Sequence, residues 1–333
     1  MAYGRRNHNL QLTGNDGVQQ AEGLGQKKLV SSVFQIEGAD LPAFFSYEDE
    51  KFSGKRFFWS QPDRELSFVG LGSVLTIEAE DPLARFREVE QQWKHLIEHA
   101  VIEEGIAEFT GPILFGGFSF NPSSSHSSIW RNFPHTRFVV PEVMITVHNG
   151  KTWATVNKLS NNDSPRDLDW KRMETLLRKV PANLQADSVT AGTIYKEEIS
   201  PQDWLRSVEQ AVASVRAGEL EKVVLARPIR LFAEHAFSIT NILQRLLREQ
   251  TNTYVFAIEY DGDCFVGATP ERLVRSKGSE LHTLSLAGSI GRGRTPAEDR
   301  ELGQALFHDE KNILEHALAV NMIKDAMDKL CEK

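Results

Sequence analysis

A chain of 333 residues, 41% hydrophobic and 25% charged, has the composition of a globular protein and the length for one large or two modest cores, which excludes disorder as the default. Its formal net charge of −8 argues against a nucleic-acid binder, because counterion release needs a cationic surface, yet leaves an anionic small substrate open. Cys264 and Cys331 are the only cysteines and neither has a partner at metal-ligand spacing, so neither a disulfide framework nor a zinc site is expected.

The first 28 residues are rich in Gly, Gln and Asn and lack the apolar stretch of a signal peptide, so they are expected to form a polar, disordered arm. No apolar run approaches the roughly 20 residues of a membrane-spanning helix, and the expected compartment is the cytoplasm. Short apolar segments at 29–36, 56–59, 66–71 and 74–77, separated by turn residues, predict strands. Asp81-Pro82 then opens a helix whose Leu83, Phe86, Val89, Trp93 and Leu96 recur at spacings of three and four. Strand character returns at 111–120, 138–147 and 152–159, with a polar loop at 121–128 and a helix at 168–177.

Beyond a polar linker at 181–193, Ser200-Pro201 introduces a helix bearing Trp204, Val208, Ala211, Val212 and Val215 that stops near Gly218. A buried strand is expected at 222–227, a helix at 238–249, and two strands, 253–260 and 264–267, joined as a hairpin across Asp261-Gly262. Short strands at 273–274 and 281–286 precede one long helix over 296–329. The order is not strict strand–helix alternation, so the class is α+β, with large antiparallel sheets and helices packed outside. The expected organisation is an arm at 1–28, an N-terminal α+β part at 29–190 and a second part at 191–333.

Four segments carry candidate chemistry. In 221–227, alternation places Lys222 with Val224 and Ala226 on a strand apolar on both faces; a desolvated amine there could serve as a general base, against the alternative of a solvated ammonium at the strand entrance. Glu271 follows Gly267, Ala268 and Pro270 at a strand end, where apolar walls would suit a general acid, the alternative being a surface pair with Arg272 or Arg275. Gly288 and Ser289 offer backbone amides that could cradle a carboxylate, although a plain turn has the same signature. Glu315 heads a helical stripe of Leu318, Ala319, Met322 and Ala326, a place that calls for a partner: a magnesium ion, or Lys311.

In order and interval these segments, with 111–120 upstream, resemble the chorismate-utilising enzymes: isochorismate, salicylate, anthranilate and aminodeoxychorismate synthases. The likeness through 222–227 and 297–326 is greatest to the isochorismate synthases. The resemblance implies that Lys222 activates water, Glu271 protonates the departing 4-hydroxyl of chorismate, Glu315 binds Mg2+ and Gly288 and Ser289 lie near a substrate carboxylate. It also implies a monomer when complete, with chorismate as partner and neither nucleic acid nor membrane. Family members continue past the final helix into a region holding another magnesium-binding glutamate and a substrate-gripping arginine. The absence of a C-cap signal after Met322 leads to the expectation of a truncated chain. An enzyme of isochorismate synthase type, a sibling making salicylate, and a catalytically incomplete remnant all stay open, as does supply of menaquinone or of a siderophore.

Overall fold

The computed structural model describes residues 27–47, 50–102, 107–123, 128–161, 166–180 and 192–331. The predicted disordered arm, except its last two residues, lies outside the described residues, as do 124–127 of the polar loop and 181–191 of the linker. In chain order the elements are β1 (Lys28–Ile36), α1 (Leu41–Phe45), β2 (Arg56–Ser60), β3 (Leu66–Leu71), β4 (Leu75–Glu78), α2 (Arg85–Glu98), β5 (Val101–Ile102), β6 (Phe115–Phe118), β7 (Thr136–Val140), β8 (Val143–His148), β9 (Lys151–Ser160) and α3 (Arg166–Lys179). They continue with β10 (Ile194–Glu198), α4 (Pro201–Arg216), β11 (Ile229–Ala233), α5 (Ile239–Glu249), β12 (Tyr254–Tyr260), β13 (Asp263–Thr269), β14 (Arg275–Lys277), β15 (Glu280–His282), α6 (Pro296–His308) and α7 (Glu310–Met327). No helix among the described residues is long and apolar enough to cross a membrane.

The chain divides into two compact units, Met1–Asp187 with Ser238–Ala268, and Ser188–Phe237 with Thr269–Lys333. This differs from a single break near 190. The segment from α5 into β13 returns to the first unit because β12 pairs with β2, from Val255 opposite Ser60 to Ile258 opposite Phe57. Such a pairing spans almost two hundred residues and leaves no local trace in the sequence.

In the first unit an eight-stranded sheet runs in the order β13-β12-β2-β3-β8-β9-β1-β5. Its long pairings are antiparallel, and the short β1–β5 pairing is parallel. The α+β class with a large antiparallel sheet is as expected. The hairpin at Asp261-Gly262 also forms, both turn residues having the positive φ, 48° and 87°, that a tight two-residue connection requires.

Strand alternation sorts the core into two layers. Phe58, Val69 and Ile145 face one side, where α1, α3 and α5 supply Phe44, Met173 and Leu243. Phe57, Phe68 and Met144 face the other, against Phe115 and Val139 of a second sheet ordered β4-β7-β6. Helix α2 covers this smaller sheet through Val89, Trp93 and Leu96. The expected strand at 138–147 is in fact two strands in different sheets. Pro141, lacking an N–H for a ladder, marks the place where the chain leaves one sheet for the other.

Two ionic clusters fasten this unit. Arg56 on β2 donates from Nε (2.6 Å) and a terminal nitrogen (2.7 Å) to the two carboxylate oxygens of Glu259 on β12, which also accepts the Gly54 N–H at 3.1 Å. Asp169 of α3 is buried and accepts from Lys158 Nζ at 2.7 Å and from Ser32 Oγ at 2.9 Å, tying the helix to β1 and β9. Neither cysteine is in a disulfide, and burial pushes the Cys264 thiol up to about 12.

The second unit is built otherwise. It holds the antiparallel pair β10–β11, the small hairpin β14–β15 and helices α4, α6 and α7. None of its described residues is buried. Four expectations fail here, the first being the strand at 273–274, since β14 begins only at Arg275. The strand at 222–227 is absent, the segment having no regular secondary structure, and β11 begins only at Ile229. The strand at 281–286 shrinks to Glu280–His282. Along 222–227 and 283–286, β-forming side chains are present but no strand among the described residues pairs with them, and a strand needs that partner. The single long helix at 296–329 is broken at Asp309, which ends α6 and, through its side chain accepting the Asn312 N–H at 2.8 Å, caps α7.

Candidate active site

All five candidate site residues fall in the second unit. Three of the four segments converge on the first turns of α7. The Asp309 cap starts this helix, and residues three and four apart then share a face. Asn312, Glu315, Ala319 and Ile323 form its half-buried side, whereas Met322 and Ala326, expected in the same stripe, point outward. Glu315 does not pair with Lys311. Its partner is Lys222, whose Nζ lies 3.3 Å from Oε1, the two side chains being 32% and 34% exposed. Lys222 reaches it from the irregular segment before β11; the two-sided burial expected there is absent, since Val223, Val224 and Leu225 are exposed.

One turn earlier on α7, Asn312 packs against Gly288. That glycine has φ +80°, and a methyl group there would lie 2.9 Å from Asn312 Oδ1. Both the left-handed backbone and the close approach favour glycine. Asn312 is itself fixed, donating from Nδ2 to Asp309 at 2.8 Å. Ser289 follows on the exposed side of the turn.

Sequence reasoning passed over the lock that holds this turn to α6. Arg292 donates to Asp299 twice, at 2.7 and 2.6 Å, and the Gly293 N–H donates to the same carboxylate at 2.9 Å. The Arg292 hydrogen bond first, then that of Gly293, holds the Asp299 carboxyl down to about 2. A methyl group at Gly293 would fall on the backbone nitrogen of Asp299. The signal was available as Gly-Arg-Gly ahead of a Thr-Pro helix start with an acidic first turn. Gly293→Ala is therefore expected to loosen 288–299 by about 1–3 kcal/mol, as overpacking against fixed backbone does. Hydrogen-exchange mass spectrometry of those amides checks it, and unchanged protection would show that the lock yields without cost.

Glu271 stands apart. It follows β13 in a turn closed by its own N–H donating to Thr269 Oγ1 at 3.2 Å, and it is exposed, without the apolar walls expected around it. Among the described residues no hydrogen bond or ion pair joins its carboxylate to Lys222 or Glu315. The arrangement thus gathers an amine, a carboxylate and a glycine turn at one helix start, with a second carboxylate in the same unit. Glu315 offers the hard oxygen donor that magnesium takes and is partly open to solvent, so the residue type fits such an ion; no cluster of three ligating side chains surrounds it among the described residues.

Comparison with known proteins places these residues in a lineage. The chain matches the family model described as chorismate binding enzyme over residues 16–333. It is 36% identical over 326 residues to the isochorismate synthase MenF of Bacillus subtilis, spanning 95% of this chain and 68% of that protein. It is 31% identical over 332 residues to the salicylate biosynthesis isochorismate synthase of Pseudomonas aeruginosa, spanning 98% of this chain and 67% of that one. Among solved structures, MenF, the menaquinone-specific isochorismate synthase of Escherichia coli, shares the fold with a TM-score of 0.67 at 21% identity, over 91% of this chain and 66% of its own. The chain therefore spans about two thirds of the length of these relatives. Matched by the family model over almost its whole length, and more than a third identical to one relative along nearly the same span, the chain belongs to the chorismate-binding enzymes.

Proposed function

We propose that the chain provides the base, the acid and a cation ligand of an isochorismate synthase, an isomerase that adds water at C2 of chorismate, shifts the ring double bonds and expels the C4 hydroxyl. The observation that carries this reading is the meeting of Lys222 and Glu315 at 3.3 Å beside the Gly288 turn, from segments distant in sequence. The relatives named as isochorismate synthases support it.

In this reading Lys222, as the neutral amine, takes a proton from water as its oxygen bonds to C2. Glu271, as the neutral acid, gives a proton to the C4 oxygen as that bond breaks, so the departing group leaves as water. The amine ends protonated and the carboxyl ionised, and exchange with solvent restores both. The exposed Glu271 would have to be brought to the substrate; it lies beyond the end of β13, outside any ladder. The amides of Gly288 and Ser289 would receive a substrate carboxylate. Mg2+, when bound through Glu315, would supply positive charge to the ring carboxylate. Lys222 and such an ion compete for one carboxylate.

The test is chorismate turnover by the protein that carries these residues, with saturating magnesium and product separation by chromatography. Isochorismate is the expected product. Salicylate with pyruvate would assign the sibling activity, and unchanged chorismate would refute both.

A further inference from the structure

We propose that the C-terminal turn of α2 carries a transition-metal site, built by His95, Glu98 and His99 and suited to zinc in preference to magnesium. The residues stand at i, i+3 and i+4, His95 and Glu98 in the last turn of α2 and His99 as its C-cap with right-handed backbone, so all three fall on one face. One ligand atom from each already lies within 4.8 Å of the others, and all three side chains are exposed. The imidazole rings stand side by side, with centroids 4.6 Å apart.

The second observation concerns the tautomer. His99 Nδ1 is 2.8 Å from the carbonyl oxygen of His95. A carbonyl only accepts, so Nδ1 carries the proton, and in the neutral ring the lone pair resides on Nε2. A backbone carbonyl orienting one ring nitrogen is the usual support of a metal-bound histidine. The helix itself is anchored, because Val89 and Leu96 are buried and Trp93 packs beside them. Its C-terminal end also carries partial negative charge, which favours a cation.

Ligand chemistry decides the ion. Two imidazoles and one carboxylate suit zinc, nickel or copper, whereas magnesium and calcium take oxygen donors. Zinc–nitrogen bonds of roughly 2.0–2.1 Å bring tetrahedral ligand atoms to about 3.4 Å apart, a closure that exposed side chains reach by rotation alone. Three protein ligands leave one position for water. Lys94, the adjacent cation, is already bonded to Glu90 at 2.6 Å. None of these residues takes part in the proposed acid–base chemistry, so the two readings stand or fall separately.

The test titrates zinc chloride into the full chain against a chromophoric chelator and follows the thermal midpoint in parallel. His95→Ala, His99→Ala and the double variant are compared, with circular dichroism confirming the fold and Glu315→Gln controlling for zinc elsewhere. One tight equivalent is expected, weakened at least about tenfold by either histidine change, absent in the double variant and unaffected by Glu315→Gln or by millimolar magnesium. Zinc binding unchanged in the double variant, or no binding up to about 1 mM zinc, overturns the site.

Discussion

Lys222→Ala is expected to lower turnover of chorismate by about 10²–10⁴-fold, the usual contribution of a positioned general base. The effect should fall on kcat, because in the proposed mechanism Lys222, paired with Glu315, would act on the attacking water instead of on a remote part of the substrate. Lys222→Arg should not restore activity, since guanidinium stays protonated at any working pH and cannot accept the proton. Glu271→Gln should lose activity on the same scale by removing the proposed acid. The two Lys222 variants discriminate between roles: if Lys222 served only to pair with Glu315, arginine would preserve the pair and most of the rate. Full activity in Lys222→Ala would show that another group activates water.

Glu259→Ala should cost about 3–5 kcal/mol of stability, because it leaves the Arg56 guanidinium half-buried without its counter-charge. Glu259 is 8% exposed and accepts three hydrogen bonds, two from Arg56 and one from the Gly54 N–H. It also joins β12 to β2, and so fastens the returning segment 238–268 to the first unit. Urea unfolding followed by circular dichroism measures the loss. Replacing Arg56 by Met and Glu259 by Leu together should recover much of it, since an apolar pair removes the unpaired charge. A loss below about 1 kcal/mol in Glu259→Ala would mean that water reaches Arg56 and screens it.

Much of the first unit was legible in the sequence, because its strands carry their own punctuation. The segments predicted at 29–36, 56–59 and 66–71 appear within a residue of their bounds, and the helix predicted at 238–249 is α5, capped by Ser238, which accepts the Asn241 N–H. What could not be read was which strand finds a partner. The run 222–227 and the run 56–59 look alike locally, yet only the second lies beside other strands. Periodicity likewise carried the last helix through Asp309, since a single capping residue does not disturb an apolar repeat on either side.

The site followed the same division. Glu315 was legible as a carboxylate on a helix face that demanded a partner, but the identity of that partner, Lys222, depended on a contact across ninety residues of chain. Asn312 was invisible as a site residue because its role is steric, filling the space that Gly288 leaves. Glu271 was placed correctly at a strand end and wrongly among apolar walls, since a turn's sequence does not say what packs above it.

Asp309 has one further consequence, for what lengths of chain this region can tolerate. It joins α6 to α7 with no intervening linker, and Glu315 lies six positions beyond it. One inserted residue between them would turn everything downstream by about 100° around the axis of α7, swinging the carboxylate more than a quarter turn away from Lys222. Connections between helices are ordinarily where insertions and deletions collect. This one is a fixed ruler, so length variation between 299 and 315 should be selected against even where the individual side chains are free to change.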